Sequence, residues 1–516
     1  MSPDRTSQAV TLIEPDDEFN QQLIANVHPD DWTNPVPSGR YNLVVIGAGT
    51  AGLVTAAVAA GLGARVALVE RHLMGGDCLN VGCVPSKGII RAARAWAAAS
   101  NGHVFGLSPT ATPIHDFGKV MQRMRRLRAE LSQLDSARRF TDLGVDVFIG
   151  SGRFTDPETV RVDESTLRFS RAAICTGARA AAPPISGLED VGYLTNKTVF
   201  SLTERPRRLA VIGGGPIGCE LAQSFARFGS QVTLVERVEH ILQREDADAA
   251  AIVQEQMRRD GVAFAFGASV DSVERRGQEK VIRYTTGETS HELVVDEILV
   301  SVGRAPNIEG LGLEEAGVAF DRTGVTVNSS LRTSNRRVYA AGDICFPFKF
   351  THTADAMAQI VVQNALFPHP FGLGTAHRSS LIIPWCTYTE PEIAHVGMYE
   401  AEAHAKGLDV ETFTQSLEEV DRAVLDGEAD GFARVHVKKG TDTILGATIV
   451  AGHAGSLISE ITVAMNAGAG LGVIGGTIHP YPTQSEAIRK VANLMRKARF
   501  SPRQKSILSR WFSWTR

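Results

Sequence analysis

Apolar residues in this chain gather in short runs that end in glycine. Residues 41–46 read YNLVVI and lead straight into Gly47, the pattern of a buried strand closing on a tight turn. Residues 53–62 follow with helical spacing, and 64–70 (ARVALVE) form a second apolar run. Strand, turn, helix and strand in that order predict a βαβ unit. The same order returns 166 residues later: a strand over 208–212, a glycine turn over 213–218, a helix over 220–228 and a strand over 231–236. Between the copies, 116–134 is charged and helical in period. After Pro384, alternating runs at 433–437 and 444–450 precede a helix starting near Ser456, which predicts a separate α+β domain.

The chain of 516 residues is too long for one core. The expected fold is α/β, with two Rossmann-like dinucleotide-binding domains and a C-terminal α+β dimerisation domain. The expected boundaries are an N-terminal extension 1–39, a first dinucleotide-binding part 40–187, a second dinucleotide-binding domain 188–308, a return to the first domain at 309–375, the C-terminal domain 376–499 and a basic aromatic tail 500–516.

Hydrophobic residues at 43% and charged residues at 21% are the balance of an ordinary folded chain, and a net charge of −4 gives no reason to expect nucleic acid as a partner. No run of 18 apolar residues predicts a membrane span. The stretch 1–20 carries Asp16, Asp17 and Glu18 and has no apolar centre, so it does not read as a secretory signal. Six cysteines in so long a chain predict one functional pair in a reducing, cytoplasmic setting rather than a disulfide scaffold.

The glycine turns carry the first chemistry. Gly47, Gly49 and Gly52 fit G-x-G-x-x-G between a strand and a helix, where bare backbone lets a pyrophosphate rest on the helix N-terminus. Glu70 ends the next strand 18 residues after Gly52, where a ribose hydroxyl needs an acceptor. Gly213, Gly215, Gly218 and Glu236 repeat the arrangement with the same spacing.

The second chemistry is GGDCLNVGCVPSK at 75–87. Two cysteines five apart on an ideal helix have Cα atoms roughly 9 Å apart, beyond the reach of a disulfide at roughly 7 Å. A bridge between Cys78 and Cys83 therefore needs an irregular turn, which Gly82 permits, and Lys87 adds positive charge that favours a thiolate.

With these residues in view, the chain resembles the class I pyridine nucleotide-disulfide oxidoreductases. The resemblance covers 41–499: the cysteine motif with Gly76, the string Ile174-Cys-Thr176-Gly177, the second glycine turn, Gly303-Arg304-Ala-Pro-Asn307, the segment 337–343 ending in Asp343, and Tyr388-Thr-Glu-Pro-Glu392. It implies FAD bound by the first unit and by Asp343, and NADH or NADPH bound by the second. Cys78 would meet the acceptor, Cys83 would lie against the flavin, and Lys87 and Glu220 would pair near flavin N5. It also implies a homodimer. Asp343 has a competing reading as a cap for the helix that follows.

The chain is most similar to the mercuric reductase branch. Where relatives place a catalytic His before Pro-Thr-x-Ser-Glu, this chain has Tyr481, with His479 two residues earlier and Glu486 after. On an extended segment His479 and Tyr481 would point the same way, so either could serve as the acid-base group. No cysteine follows Cys386, which argues against mercury as the natural acceptor. The expected function is electron transfer from NAD(P)H through FAD to Cys78–Cys83 and on to a disulfide, metal ion or similar small acceptor. A dihydrolipoamide dehydrogenase and a redox-sensing flavoprotein that binds a partner are the alternatives, and no resident metal is expected. Glu236 favours NADH by repelling a 2′-phosphate, although Arg237 beside it could hold one. The tail spaces Ile507, Leu508, Trp511 and Phe512 as a helix that either packs on the body or touches a membrane surface.

Overall fold

A computed structural model describes residues 13–106 and 116–516; the first twelve residues of the expected extension lie outside the described residues. The chain divides into two compact units, one made of 1–213, 227–232 and 269–381, the other of 214–226, 233–268 and 382–516.

The first unit is built on a sheet ordered Val145–Ile149, Val66–Glu70, Arg40–Ile46, Ser165–Ile174, Thr159–Val162 and Gly152–Asp156, with Val338–Ala340 also paired to Ser165–Ile174. The pairs around Arg40–Ile46 are parallel, with Val45 opposite Leu68 on one side and Ala173 on the other. Both faces of this strand are covered, which is why its sequence is a near-continuous apolar run. The helices Thr50–Gly61 and Thr351–Leu366 pack together over one face. Val338–Ala340 enters parallel beside Ala172–Ile174 and so returns residues 338–343 to the first glycine turn. A second parallel pair, Arg208–Ile212 with Glu297–Val300, lies in the same unit.

The polar segment expected as an extension is part of this unit. Asp17 caps the helix Glu18–Val27, its carboxylate accepting from Asn20 N at 2.9 Å. Leu23 and Val27 are buried in the same core as the central strand. Asn34 accepts from Ile149 N and donates to Ile149 O, closing the sheet edge. Beneath the helix, Arg128 donates to Asn20 Oδ1 and to Asn80 O, both at 2.7 Å. Its guanidinium is pulled down to about 10, chiefly by burial and next by Arg125. A polar composition hid this helix because its anchors are hydrogen bonds to buried arginines.

In the second unit a sheet runs Pro384–Thr387, Glu392–Gly397, Ile444–Ala451, Phe432–Lys438 and Val410–Ser416, antiparallel throughout. The helices Ala454–Asn466 and Glu486–Arg499 cover it. The second buries Ile488, Val491, Ala492 and Met495 at helical spacing. The segment 233–268 is fastened to this sheet by polar contacts. Trp385 and Tyr399 both donate to Glu245, at 2.8 and 2.7 Å, and Arg434 pairs with Asp246 at 3.0 Å.

Replacing Arg128 with Met leaves Asn20 Oδ1 and Asn80 O without their charged donor. The change should cost about 2 kcal/mol and lower the melting temperature followed by circular dichroism. An unchanged melt would show that the N-terminal helix is held by its apolar face alone.

Candidate functional site

The cysteine motif folds as two helices rather than one. The helix Gly76–Val81 stops at Gly82 (φ −134°, ψ −117°), and the helix Cys83–Ser100 starts immediately after. A Cβ at Gly82 would stand 2.6 Å from Asp77 O, so the reversal that brings Cys83 back toward Cys78 has room only for glycine. The two sulfurs are within hydrogen-bonding reach as a dithiol, and Cys83 Sγ also lies 3.4 Å from Thr351 Oγ1. The hydrogen bond from Cys83, followed by burial, pushes the Cys78 thiol well up. Cys83 is the first residue of an 18-residue helix, where the backbone dipole favours negative charge. Of the two sulfurs, Cys83 is the one placed at a helix N-terminus. Cys83, Val84, Lys87, Arg91, Arg123 and Leu127 line an open hollow of about 380 Å³.

The first glycine turn lies against this motif. A Cβ at Gly76 would be 2.6 Å from Gly49 Cα, so the cysteine segment and the turn touch backbone to backbone. A Cβ at Gly52 would sit 1.8 Å from Gly47 O, which fixes the strand-to-helix packing. At Gly49, by contrast, the nearest atom to a Cβ is Gly76 Cα at 3.7 Å, so open space remains on the side a pyrophosphate would take. Glu70 accepts from Ala48 N at 2.7 Å and from His72 N at 2.9 Å, and burial pushes its carboxyl up. These residues fit the dinucleotide that the turn predicts.

Thr176, Gly177, Gly303, Arg304 and Asp343 come together here as well. Thr176 Oγ1 donates to Asn307 O at 2.9 Å, and Asn307 N donates to Gly177 O at 3.0 Å. Arg304, following Gly303, pairs with Asp77 of the cysteine helix and reaches Asp343 at 3.3 Å. Burial pushes the Asp343 carboxyl up, against the pull of Arg304. The cap of the helix Thr351–Leu366 is Phe350, so Asp343 is not a helix cap. The Asp77–Arg304–Asp343 bridge and the Thr351 contact were not foreseen, because each joins residues more than two hundred positions apart or in separate motifs.

Other predicted residues belong to the second unit. Glu236 accepts from Gly214 N at 2.5 Å, from Arg237 N at 2.7 Å and from Gln243 Nε2 at 3.2 Å. Arg237 is exposed at its side, and a Cβ at Gly215 would meet nothing within 4 Å. Gly213, at the end of the first unit, lies against Ser301 O, while Gly218 and Glu220 are buried on the helix Pro216–Arg227. Glu220 Oε1 accepts from Tyr388 N at 3.0 Å.

The C-terminal motif departs from expectation. His479 and Tyr481 do not share a space. The His479 side chain is 6% exposed, with Nδ1 3.0 Å from Thr477 O and Nε2 2.8 Å from Glu460 Oε1. Both ring nitrogens therefore face acceptors inside the domain. Tyr481 is 70% exposed and donates to Asp421 Oδ2 at 2.8 Å, and that hydrogen bond pushes its phenol up. Glu486 is buried and pairs with Arg489 at 3.1 Å rather than with an imidazole. The cause is Glu460, whose carboxylate draws the imidazole inward.

Residues 41–359 match the family model of the pyridine nucleotide-disulphide oxidoreductases, and 383–492 match the dimerisation domain of that family. A mercuric reductase of Staphylococcus aureus is 35% identical over 455 residues, covering 88% of this chain and 82% of the relative. A dihydrolipoyl dehydrogenase of Bacillus subtilis is 31% identical, covering 88% and 97%. Among solved structures, the Cu(II) complex of the HOCl-induced flavoprotein disulfide reductase RclA from Escherichia coli superposes with a TM-score of 0.77 at 28% identity, covering 87% of this chain and 98% of that one. LpdA from Mycobacterium tuberculosis does so with a TM-score of 0.79 at 27% identity, covering 88% and 99%.

With both nitrogens of His479 occupied internally, His479→Gln should lower the melting temperature by a few degrees. It should leave kcat/KM for every acceptor within about twofold, since no hydrogen bond to a reacting atom is lost. A tenfold fall in kcat/KM at an unchanged melting temperature would return His479 to the acid-base role.

Proposed function

Because the chain belongs to the pyridine nucleotide-disulphide oxidoreductases, we propose that it carries electrons from NADH to the Cys78–Cys83 pair and from there to a metal ion or another small acceptor, with disulfides as slow substrates. It is an FAD- and NAD(P)H-dependent oxidoreductase. FAD supplies the conversion of a hydride into an electron pair that a disulfide can take up. The observation that carries the proposal is the Gly82 reversal, which sets two sulfurs side by side against an open glycine turn.

The residues divide the work as follows. Gly47, Gly49 and Gly52 leave backbone N–H groups for the pyrophosphate, and Glu70 and Asp343 supply carboxylates for the hydroxyls of the dinucleotide. Residues 40–187 and 309–375 serve FAD, 188–308 serve the nicotinamide nucleotide, and 376–499 join two copies in a homodimer. Once the Cys78–Cys83 disulfide is opened by two electrons, Cys83 keeps the negative charge at its helix N-terminus with Lys87 one turn on. Cys78 keeps the proton and is the sulfur that meets the acceptor. A protein that cycles through a dithiol and draws on NADH suits the cytoplasm.

The acceptor preference rests on Tyr481. Reducing a disulfide needs a proton for the leaving thiolate, and a group titrating near neutrality gives it best. The Tyr481 phenol, pushed up by Asp421, is a poor donor for that purpose, and His479 is turned away. A metal ion needs no such proton, and the phenol oxygen can face it.

Turnover of NADH with lipoamide, glutathione disulfide, Cu(II) and Hg(II) tests this reading. Lipoamide should be reduced well below about 10 per second, the rate of a median enzyme, and a metal ion faster. Tyr481→His should raise lipoamide turnover. Wild-type lipoamide turnover at the median rate or above would show that an unforeseen group gives the proton and would remove the metal preference.

Nucleotide choice rests on Glu236. Its carboxylate repels a 2′-phosphate, so NADH should exceed NADPH in kcat/KM. Glu236→Gln keeps an acceptor for Gly214 N and removes the charge, so the ratio should narrow by about tenfold, a charge effect of ~1.4 kcal/mol. A wild type that prefers NADPH would assign the phosphate to Arg237.

A further inference from the structure

The helix Pro502–Trp514 lies beyond the last residue matched by the family, 492, and buries none of its residues among those described. Its start is strongly encoded. Ser501 accepts from Gln504 N at 3.2 Å, Gln504 returns an acceptor to Ser501 N at 2.8 Å, and Pro502 opens the first turn. Yet a 13-residue helix is marginal in water without a surface to pack on.

Its residues sort by face. At roughly 100° per residue, Ile507, Leu508, Trp511, Phe512 and Trp514 form one apolar arc, broken only by Gln504, whose side chain turns back to Ser501 N. These five side chains are 40–77% exposed. Ser506, Ser509 and Ser513 lie opposite. The cations stand on the two borders, Arg503 and Arg510 on one and Lys505 on the other, with Arg516 just past the helix end, and 501–516 contains no acid. Cationic side chains flanking an apolar aromatic face can reach outward to phosphates while the face sinks into an acyl layer. Tryptophan is favoured at that depth.

We infer that the helix Pro502–Trp514 docks the protein on an anionic lipid surface. Charge decides between this and a second copy of the helix. A two-fold contact sets one patch against itself, which would bring the same four cations together from each side with no acid in the segment to offset them.

The test uses the full-length FAD-loaded protein and sedimentation with vesicles of phosphatidylcholine alone or mixed with phosphatidylglycerol. Binding should appear only with the mixed vesicles, fall as salt rises, and shift tryptophan emission to the blue. Arg510→Gln should weaken partition about fivefold, the effect of one cation near such a surface. Trp511→Ser with Trp514→Ser should abolish partition, and both variants should keep wild-type NADH turnover. Equal sedimentation with both vesicle types would overturn the inference, as would retained binding by a chain ending at Phe500. Loss of the dimer on that truncation would assign the face to the partner copy and overturn it as well.

Discussion

The architecture turns on the place where the chain cannot remain helical. Between Cys78 and Cys83 a continuous helix would hold the sulfurs too far apart to react with each other. Gly82 breaks it because only a residue without a side chain fits against Asp77 O. That break makes Cys83 a helix N-terminus, a position that favours negative charge. It also leaves Gly76 free to meet Gly49, so the redox pair and the first glycine turn share one backbone contact. Arg304 secures the arrangement from below by tying Asp77 to Asp343.

What was legible in the sequence follows from the range of the forces involved. Strands such as Arg40–Ile46 and helices such as Glu486–Arg499 show in the spacing of apolar residues because one local face or both faces are buried. The glycine turns and the cysteine turn were legible because each is a steric demand within a few residues. The Arg304 bridge and the docking of Glu18–Val27 through Arg125 and Arg128 were hidden. Both depend on ion pairs and hydrogen bonds between segments far apart in sequence, which leave no periodic trace.

The C-terminal motif shows the same limit at shorter range. Alternation along an extended segment put His479 and Tyr481 on one side, but the segment is irregular, and Glu460 on a neighbouring helix takes the imidazole. The two residues, two positions apart, therefore have opposite fates: one holds the domain together and the other is offered to solvent on an Asp421 carboxylate.

Cys78 and Cys83 are proposed to form one redox pair fed by NADH. Alkylation of the FAD-loaded protein under anaerobic conditions, before and after one equivalent of NADH, followed by peptide mass measurement, tests it most directly. Both cysteines should resist alkylation in the oxidised protein and become labelled together after NADH, while Cys175 and Cys219, buried with their thiols pushed up, stay unlabelled. Equal labelling of Cys78 and Cys83 before and after NADH would contradict it.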